Sequence, residues 1–285
     1  MSNQKPVLSY YDMSDGVVAF STTRHGGVSE GSYASLNVNE YCGDNAEHVA
    51  ANRKLLATEL KIDSNRIIIP HQTHGVETRI IGSEFLALPD NVKRMLLEGV
   101  DAVITNVKGL CIGVSTADCI PVLLYDEEHH AAAAIHAGWR GTLARIVHKA
   151  VLEMRMAYNT DPAKLIAVVG PGISIENFEV GDEVYEAFEQ AAFPMEEIAE
   201  QRPNAAFSVD IAERERLAAE GNIVQPLKWH INLPLCNKQI LLHCGVAEEN
   251  IQDCGICTFA HSDEFFSARK LGIESGRIYT GILMK

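Results

Sequence analysis

The sequence has no run approaching the ~18 consecutive apolar residues that span a bilayer, and its first residues, Met1 to Pro6, lack the apolar core of a secretory signal. A membrane span is therefore not expected, and the chain reads as a soluble cytoplasmic protein. Basic residues are scarce: 24 Lys and Arg stand against 38 Asp and Glu, a formal net charge of -14. That balance opposes binding to nucleic acid or anionic membrane, because phosphate backbones are held by clustered Lys and Arg. Any phosphate chemistry must rest on a few local arginines. Also missing are Gly-x-Ser-x-Gly, His-Glu-x-x-His and a Walker motif, so the local signatures of a serine hydrolase, a zincin and a P-loop enzyme are absent. Low-complexity linkers and internal repeats are lacking too, which points to one domain over residues 1–285. The cysteines number seven, an odd count scattered from Cys42 to Cys257, and fit a reducing compartment better than a disulfide framework. A lone Cys254-Gly-Ile-Cys257 has no partner pair and reads as packing.

The most informative stretch runs from Thr116 to Thr142. Two apolar segments flank an acidic turn, with Cys119 near one far end and His136 near the other. A turn centred between Glu127 and Glu128 pairs residues whose numbers sum to 255, so Cys119 is expected opposite His136 and Asp126 opposite His129. Directly opposed residues in an antiparallel ladder lie ~4.5 to 5.5 Å apart and project from the same face. A thiolate and an imidazole so placed can share one Zn²⁺. A slip of one residue would turn them to opposite faces. The competing reading is a buried Cys in an apolar hairpin and a His satisfied at its end.

Strands alternate with helices along the rest of the chain. A strand over Val17 to Ser21 enters a loop dense in Gly and Ser that ends near Asn37, with Arg24 as its first polar group of interest. Asp44 and Glu47 have the spacing of a capping arrangement, and Val49, Leu56 and Leu60 form the buried stripe of the helix that follows. Pro70 stops a strand over Ile67 to Ile69. Beyond it, His71-Gln-Thr-His74-Gly75 offers a third nitrogen ligand, and the spacing does not choose between the two histidines. Three protein ligands would leave one position of a tetrahedral zinc open, the pattern of catalytic sites. Asp101 reads as the start of a strand rather than as support for a site. After His136, Gly138-Trp139-Arg140-Gly141 leads into a single patterned helix carrying Leu143, Ile146, Val147, Ala150, Val151 and Met154 on one face. Its N-terminus, with Arg140, would present an anion site beside the metal. The loop Gly170-Pro-Gly lacks the Lys-Ser/Thr of a P-loop and is a weak phosphate signal. Further helices are expected near Val180 to Ala192 and Pro234 to Cys244, and Arg269 and Arg277 form a second potential anion pair.

As a set these motifs resemble the bacterial laccase-domain family, also called polyphenol oxidase-like or peptidoglycan editing factor, whose members are described as purine nucleoside phosphorylases. The resemblance is carried by Ser21 to Ser29, Ser35-Leu-Asn37, Gly43-Asp44, Asn52-Arg53, Gln72-x-His74-Gly75, Asp101-Ala102, Thr116-Ala-Asp118-Cys119-Ile-Pro121, His136-Ala-Gly-Trp139-Arg140-Gly141, Gly170-Pro171, Cys257-Thr258, Phe266-Ser-x-Arg269 and Gly276-Arg277. It covers nearly the whole chain. It implies an α+β fold, a single domain of mixed β-sheets packed together and flanked by helices. It implies a metal site of His74, Cys119 and His136, and so a choice of His74 over His71. It further implies a zinc-dependent enzyme that phosphorolyses adenosine, inosine and methylthioadenosine and deaminates adenosine, with purine nucleoside and phosphate as partners. On that reading Arg24, Arg140 and Asn37 are candidates for phosphate or ribose contacts. Trp139 and Arg269 are further candidates for substrate contact, and Asp118 has a proton-transfer or orienting role. Asn232 stands where the family suggests an acidic residue, and His71 is an additional histidine. Three other readings remain: a Cys119-dependent amide hydrolase with His136 as base, a copper phenol oxidase, and a non-enzymatic structural-zinc protein. The copper reading ranks low, because multicopper sites draw on His-x-His pairs and none occurs among the 11 histidines.

Overall fold

The computed structural model describes residues 5–204, Arg216 and 226–285. Its strands, in chain order, are β1 (Leu8–Tyr11), β2 (Val17–Thr22), β3 (Ile67–Ile68), β4 (Glu77–Ile81), β5 (Val100–Thr105), β6 (Cys111–Thr116), β7 (Ile120–Asp126), β8 (Ala131–Ala137), β9 (Ile166–Val169), β10 (Glu179–Val180), β11 (Ala199–Pro203), β12 (Leu227–Ile231), β13 (Ile251–Asp253) and β14 (Ile278–Met284). The helices that matter for packing are α1 (Ala46–Leu60), α2 (Asp90–Leu96), α3 (Trp139–Leu143), α4 (Ile146–Tyr158), α5 (Asp182–Gln190), α6 (Met195–Ile198), α7 (Leu233–His243) and α8 (Ala268–Leu271).

Two mixed sheets carry the fold. One runs β1-β2-β14-β6-β3 and the other β13-β9-β7-β8-β5-β4, with a small third sheet, β10-β12-β11. Strands β5 to β8 are buried along their whole length, which is why they read as continuous apolar runs rather than alternating ones. Alternation still sorts their side chains between two cores. Ile112 and Val114 of β6 meet Leu123 of β7 and Ala132 and Ala134 of β8 in a core between the sheets. The intervening residues Val122, Leu124, Ala133 and Ile135 pack outward against Ile146, Val147, Ala150 and Met154 of α4 and Ile240 and Leu241 of α7. On the far side of the first sheet, Phe20, Cys111 and Tyr279 pack on Leu56 and Leu60 of α1. The result is four layers, helix, sheet, sheet and helix, in agreement with the expected α+β class.

Local differences from the sequence reading have identifiable causes. The β7–β8 pairs sum to 257, so Pro121 rather than Cys119 faces His136. Residues 127–130 form the turn, and His130 adopts a left-handed φ of 48°. Asn45, not Asp44, caps α1, accepting from the backbone N–H groups of Glu47 and His48. The Asp44 carboxylate is instead taken up by Ser29 Oγ and Asn37 Nδ2. The single helix expected after Gly141 is two, α3 and α4, broken where Arg145 turns left-handed at φ 58°. Asn232 caps α7 by accepting from Leu235 N at 3.0 Å. The helix of the third sheet's region is shorter than expected, α5 beginning at Asp182.

Candidate metal centre

The inter-sheet core opens at one end into a cavity of about 430 Å³, and His74, Cys119 and His136 are in its wall. Among the described residues these three form the one cluster of metal-capable side chains, with their ligand atoms all within 4.8 Å of one another. The two imidazoles meet edge to face, centroids 4.8 Å apart. His136 is buried, Cys119 half-buried and His74 exposed, so the cluster is closed on the protein side and open towards the cavity.

Each ligand arrives from a different element. His136 lies two residues beyond Ala134 on β8 and keeps the inter-sheet face. Extending the hairpin register places Cys119 opposite Gly138 rather than His136, a shift of two residues that preserves the face. Gly138 fits this: a Cβ there would lie 3.0 Å from Cys119 Sγ and 3.2 Å from His74 Cδ2. The corner before Cys119 turns through Asp118 at φ 89°. Its carboxylate accepts from Thr258 Oγ1 and from the backbone N–H of Arg269, both at 2.7 Å. His74, at φ 63°, belongs to a loop tied to both sheets. The Gln72 amide clasps the backbone of Ser115 on β6, donating to its carbonyl at 2.8 Å and accepting from its N–H at 2.7 Å.

Asp101 makes the second tie. Fully buried, its carboxylate accepts from His136 Nδ1 at 2.7 Å and from the N–H groups of Gly75 at 2.7 Å, His74 at 3.0 Å and Thr73 at 3.3 Å. One side chain thus orients both histidines. It corrects the reading of Asp101 as a plain strand start: Ala102 pairs with Ile135, so Asp101 falls beside His136. That pairing joins strands distant in sequence, and no local pattern reveals it. Because Nδ1 of His136 donates to Asp101, Nε2 is the nitrogen left for a metal.

Burial alone would push the Cys119 thiol up, but the charge and hydrogen bond of His136, with help from His74, bring it down to about 6. His136 is displaced the other way, to about 9: desolvation opposes its charge, and the Cys119 thiolate and the Asp101 carboxylate outweigh that opposition. Burial likewise disfavours the Asp101 anion, yet His136 and the backbone donors hold its carboxyl below the ordinary range. A thiolate facing an imidazolium is the donor set from which a cation displaces a proton, so the residues fit a metal bound by sulfur and two nitrogens.

The other sequence-derived candidates are dispersed. Arg24 spends its guanidinium on the carbonyls of Ala34 and Ser262 and lies 5.0 Å from the Phe266 ring centroid. Asn37 is buried, donating to Asn39 O and Asp44 Oδ2 and accepting from the Arg277 N–H. Arg269 donates to Glu179 O and borders a separate cavity with Glu176 and Arg202. Arg140 is exposed at the start of α3, its guanidinium carbon 4.2 Å from the centroid of Trp139, which packs against the outer core. None of these five is in the wall of the metal cavity, whereas Tyr41, His71, Ser115, Thr116 and Arg277 are.

The site is thus a three-ligand sulfur and nitrogen cluster, closed on the protein side and open to a cavity, at the edge of a mixed-sheet sandwich. The chain belongs to the family described as multi-copper polyphenol oxidoreductase laccase, whose model matches residues 18–285. It is 41% identical to a purine nucleoside phosphorylase of Bacteroides thetaiotaomicron, over 100% of this chain and 98% of that protein. It is 38% identical to adenosine deaminase RL5 from an unknown prokaryotic organism, over 98% of each. Among solved structures, YlmD from Geobacillus stearothermophilus superimposes with a TM-score of 0.80 at 26% identity, covering 95% of this chain and 93% of that one.

Proposed function

We propose that this chain is a zinc-dependent purine nucleoside enzyme, phosphorolysing adenosine, inosine and methylthioadenosine and deaminating adenosine in the same cavity. The observation that carries the reading is the His74, Cys119 and His136 cluster in the wall of a cavity of about 430 Å³, within the range of small-molecule sites. The names of its relatives, a purine nucleoside phosphorylase and an adenosine deaminase, support the substrate class. Zinc is the metal of this reading because one sulfur and two nitrogen donors that leave a position open towards a cavity are the pattern of catalytic zinc sites.

When bound, zinc supplies a Lewis acid and lowers the pKa of a coordinated water to ~7. The chain's own residues do the rest. Asp101 fixes the His136 imidazole through Nδ1 and the loop that carries His74 through its backbone N–H groups, and Cys119 supplies the negative charge. Asp118, both of whose oxygens are engaged, takes the orienting role rather than proton transfer. Arg24, Asn37 and Arg269 brace the loops around the cavity. Arg140, exposed at the first turn of α3 with Trp139 as its platform, lies outside the cavity wall; the arginine that lines the cavity, and so the candidate for phosphate contact, is Arg277.

The test is metal analysis of the purified protein together with chromatography of reactions containing adenosine, inosine or methylthioadenosine with phosphate. The expected result is about one zinc per chain, free base from each nucleoside in the presence of phosphate, and ammonia from adenosine. Release of neither base nor ammonia by the zinc-loaded protein would overturn the proposal. A second reading, Cys119 as the nucleophile of an amide hydrolase, draws on the thiolate paired with His136. Alkylation of Cys119 at equal rates with and without zinc would favour it.

A further inference from the structure

The loop that supplies His74 places a second imidazole, His71, in the wall of the same cavity. A solvated loop histidine needs no fixed orientation, but this ring is held on three sides. Its backbone is locked to the turn after α2, donating to Leu97 O at 3.0 Å and accepting from Gly99 N at 2.9 Å. Its Nδ1 lies 2.9 Å from both carboxylate oxygens of Glu98. Its face is stacked on Tyr41, centroids 4.2 Å apart and planes within 16°. An ionised carboxylate only accepts hydrogen bonds, so Nδ1 carries a hydrogen and Nε2 is the nitrogen left to exchange a proton in the cavity.

Phosphorolysis sets a requirement that the metal cluster does not meet. As the C1′–N9 bond breaks, its electron pair passes to the purine, and a neutral base leaves readily only if a proton arrives on one of its ring nitrogens. We infer that His71 is the general acid of the reaction, delivering a proton from Nε2 to the departing purine, with Glu98 and Tyr41 as its positioning residues. The inference rests on the phosphorolysis reading above. The step balances within the substrates. A phosphate oxygen bonds to C1′ as N9 departs, the purine takes the proton from His71, and the proton that hydrogen phosphate sheds on becoming a sugar phosphate restores the imidazole.

The experiment compares two leaving groups, inosine and 7-methylinosine, with wild-type enzyme, His71→Gln and Glu98→Gln, all zinc-loaded. The purine of 7-methylinosine is already cationic and departs neutral without a proton. His71→Gln is expected to lower kcat/KM for inosine by about 10²- to 10⁴-fold, the usual contribution of a positioned acid. Turnover of 7-methylinosine should stay within a few-fold of wild type, with zinc still at wild-type stoichiometry. Glu98→Gln should show the same selective loss, smaller in size. Equal losses on both nucleosides, no loss on either, or loss of zinc from His71→Gln would overturn the assignment. Wild-type enzyme inert towards both nucleosides would instead refute the phosphorolysis reading.

Discussion

Replacing Asp101 by Asn isolates the contribution of one carboxylate to the metal centre. The side chain is isosteric and stays buried, but the charge goes, and one of the two acceptor oxygens becomes an NH₂ facing hydrogen-bond donors. Four donors converge on the carboxylate: His136 Nδ1 and the N–H groups of Thr73, His74 and Gly75. Whichever way the amide is turned, at least one buried N–H loses its partner, at about 1–3 kcal/mol. The left-handed backbone of His74 also loses the contacts that hold it, and is free to relax. The expected stability loss of metal-free protein is therefore about 1–3 kcal/mol, read from denaturant unfolding. Zinc affinity should fall by about 10- to 100-fold, as for other groups that orient a ligating histidine, read by competition with a chromophoric chelator. Zinc affinity within twofold of wild type would refute the claim that Asp101 sets the ligand geometry, whatever the stability change.

Gly138→Ala would place a methyl 3.0 Å from Cys119 Sγ and 3.2 Å from His74 Cδ2; weaker zinc binding with nearly unchanged unfolding of the metal-free protein is expected. In Gly113→Ala the new Cβ would fall 2.3 Å from Cζ of the buried Tyr279, so a loss of about 1–3 kcal/mol should appear in thermal or denaturant unfolding while zinc affinity is retained. In chelator-treated protein, absorbance at 240 nm should report thiolate formation at Cys119 with a midpoint near 6, moving up in His136→Asn. The sign of its effect on stability follows from two opposite shifts. Depressed Cys119 stabilises above its unfolded value of 9.0, and the contribution is lost as pH falls through about 6. Raised His136 stabilises below 6.5 and is lost as pH rises through about 9. The pair is thus formed together between roughly 6 and 9, and unfolding of the metal-free protein should be hardest within that window.

The amino-acid sequence by itself determined the elements and the faces. Apolar runs around an acidic turn marked β7 and β8, and the period of two put Cys119 and His136 on one side of them. The hairpin came out two residues from the expected register, and that same period is why the site survived: a slip of one would have turned the ligands apart, a slip of two moved Cys119 beside Gly138. The spacing of His71 and His74 carried no choice between them, since both sit on a loop whose direction is set by other parts of the chain. Resemblance pointed to His74, and the fold supplies the physical reason. Gln72 anchors the loop to Ser115, Asp101 anchors it from the other sheet, and between those ties His74 turns to His136 while His71 turns to Glu98. No local pattern could disclose that Tyr41 and Arg277 line the cavity or that Asp101 backs its histidines, because those groups come together only through pairing of β5 with β8 and packing of the two sheets. The arginines show the converse. Arg24 and Arg269 stood out by residue type, but tertiary structure directs their donors to backbone carbonyls. Residue type and spacing decide what chemistry a chain can supply, whereas only long-range contacts decide which groups meet and which are consumed in holding the fold.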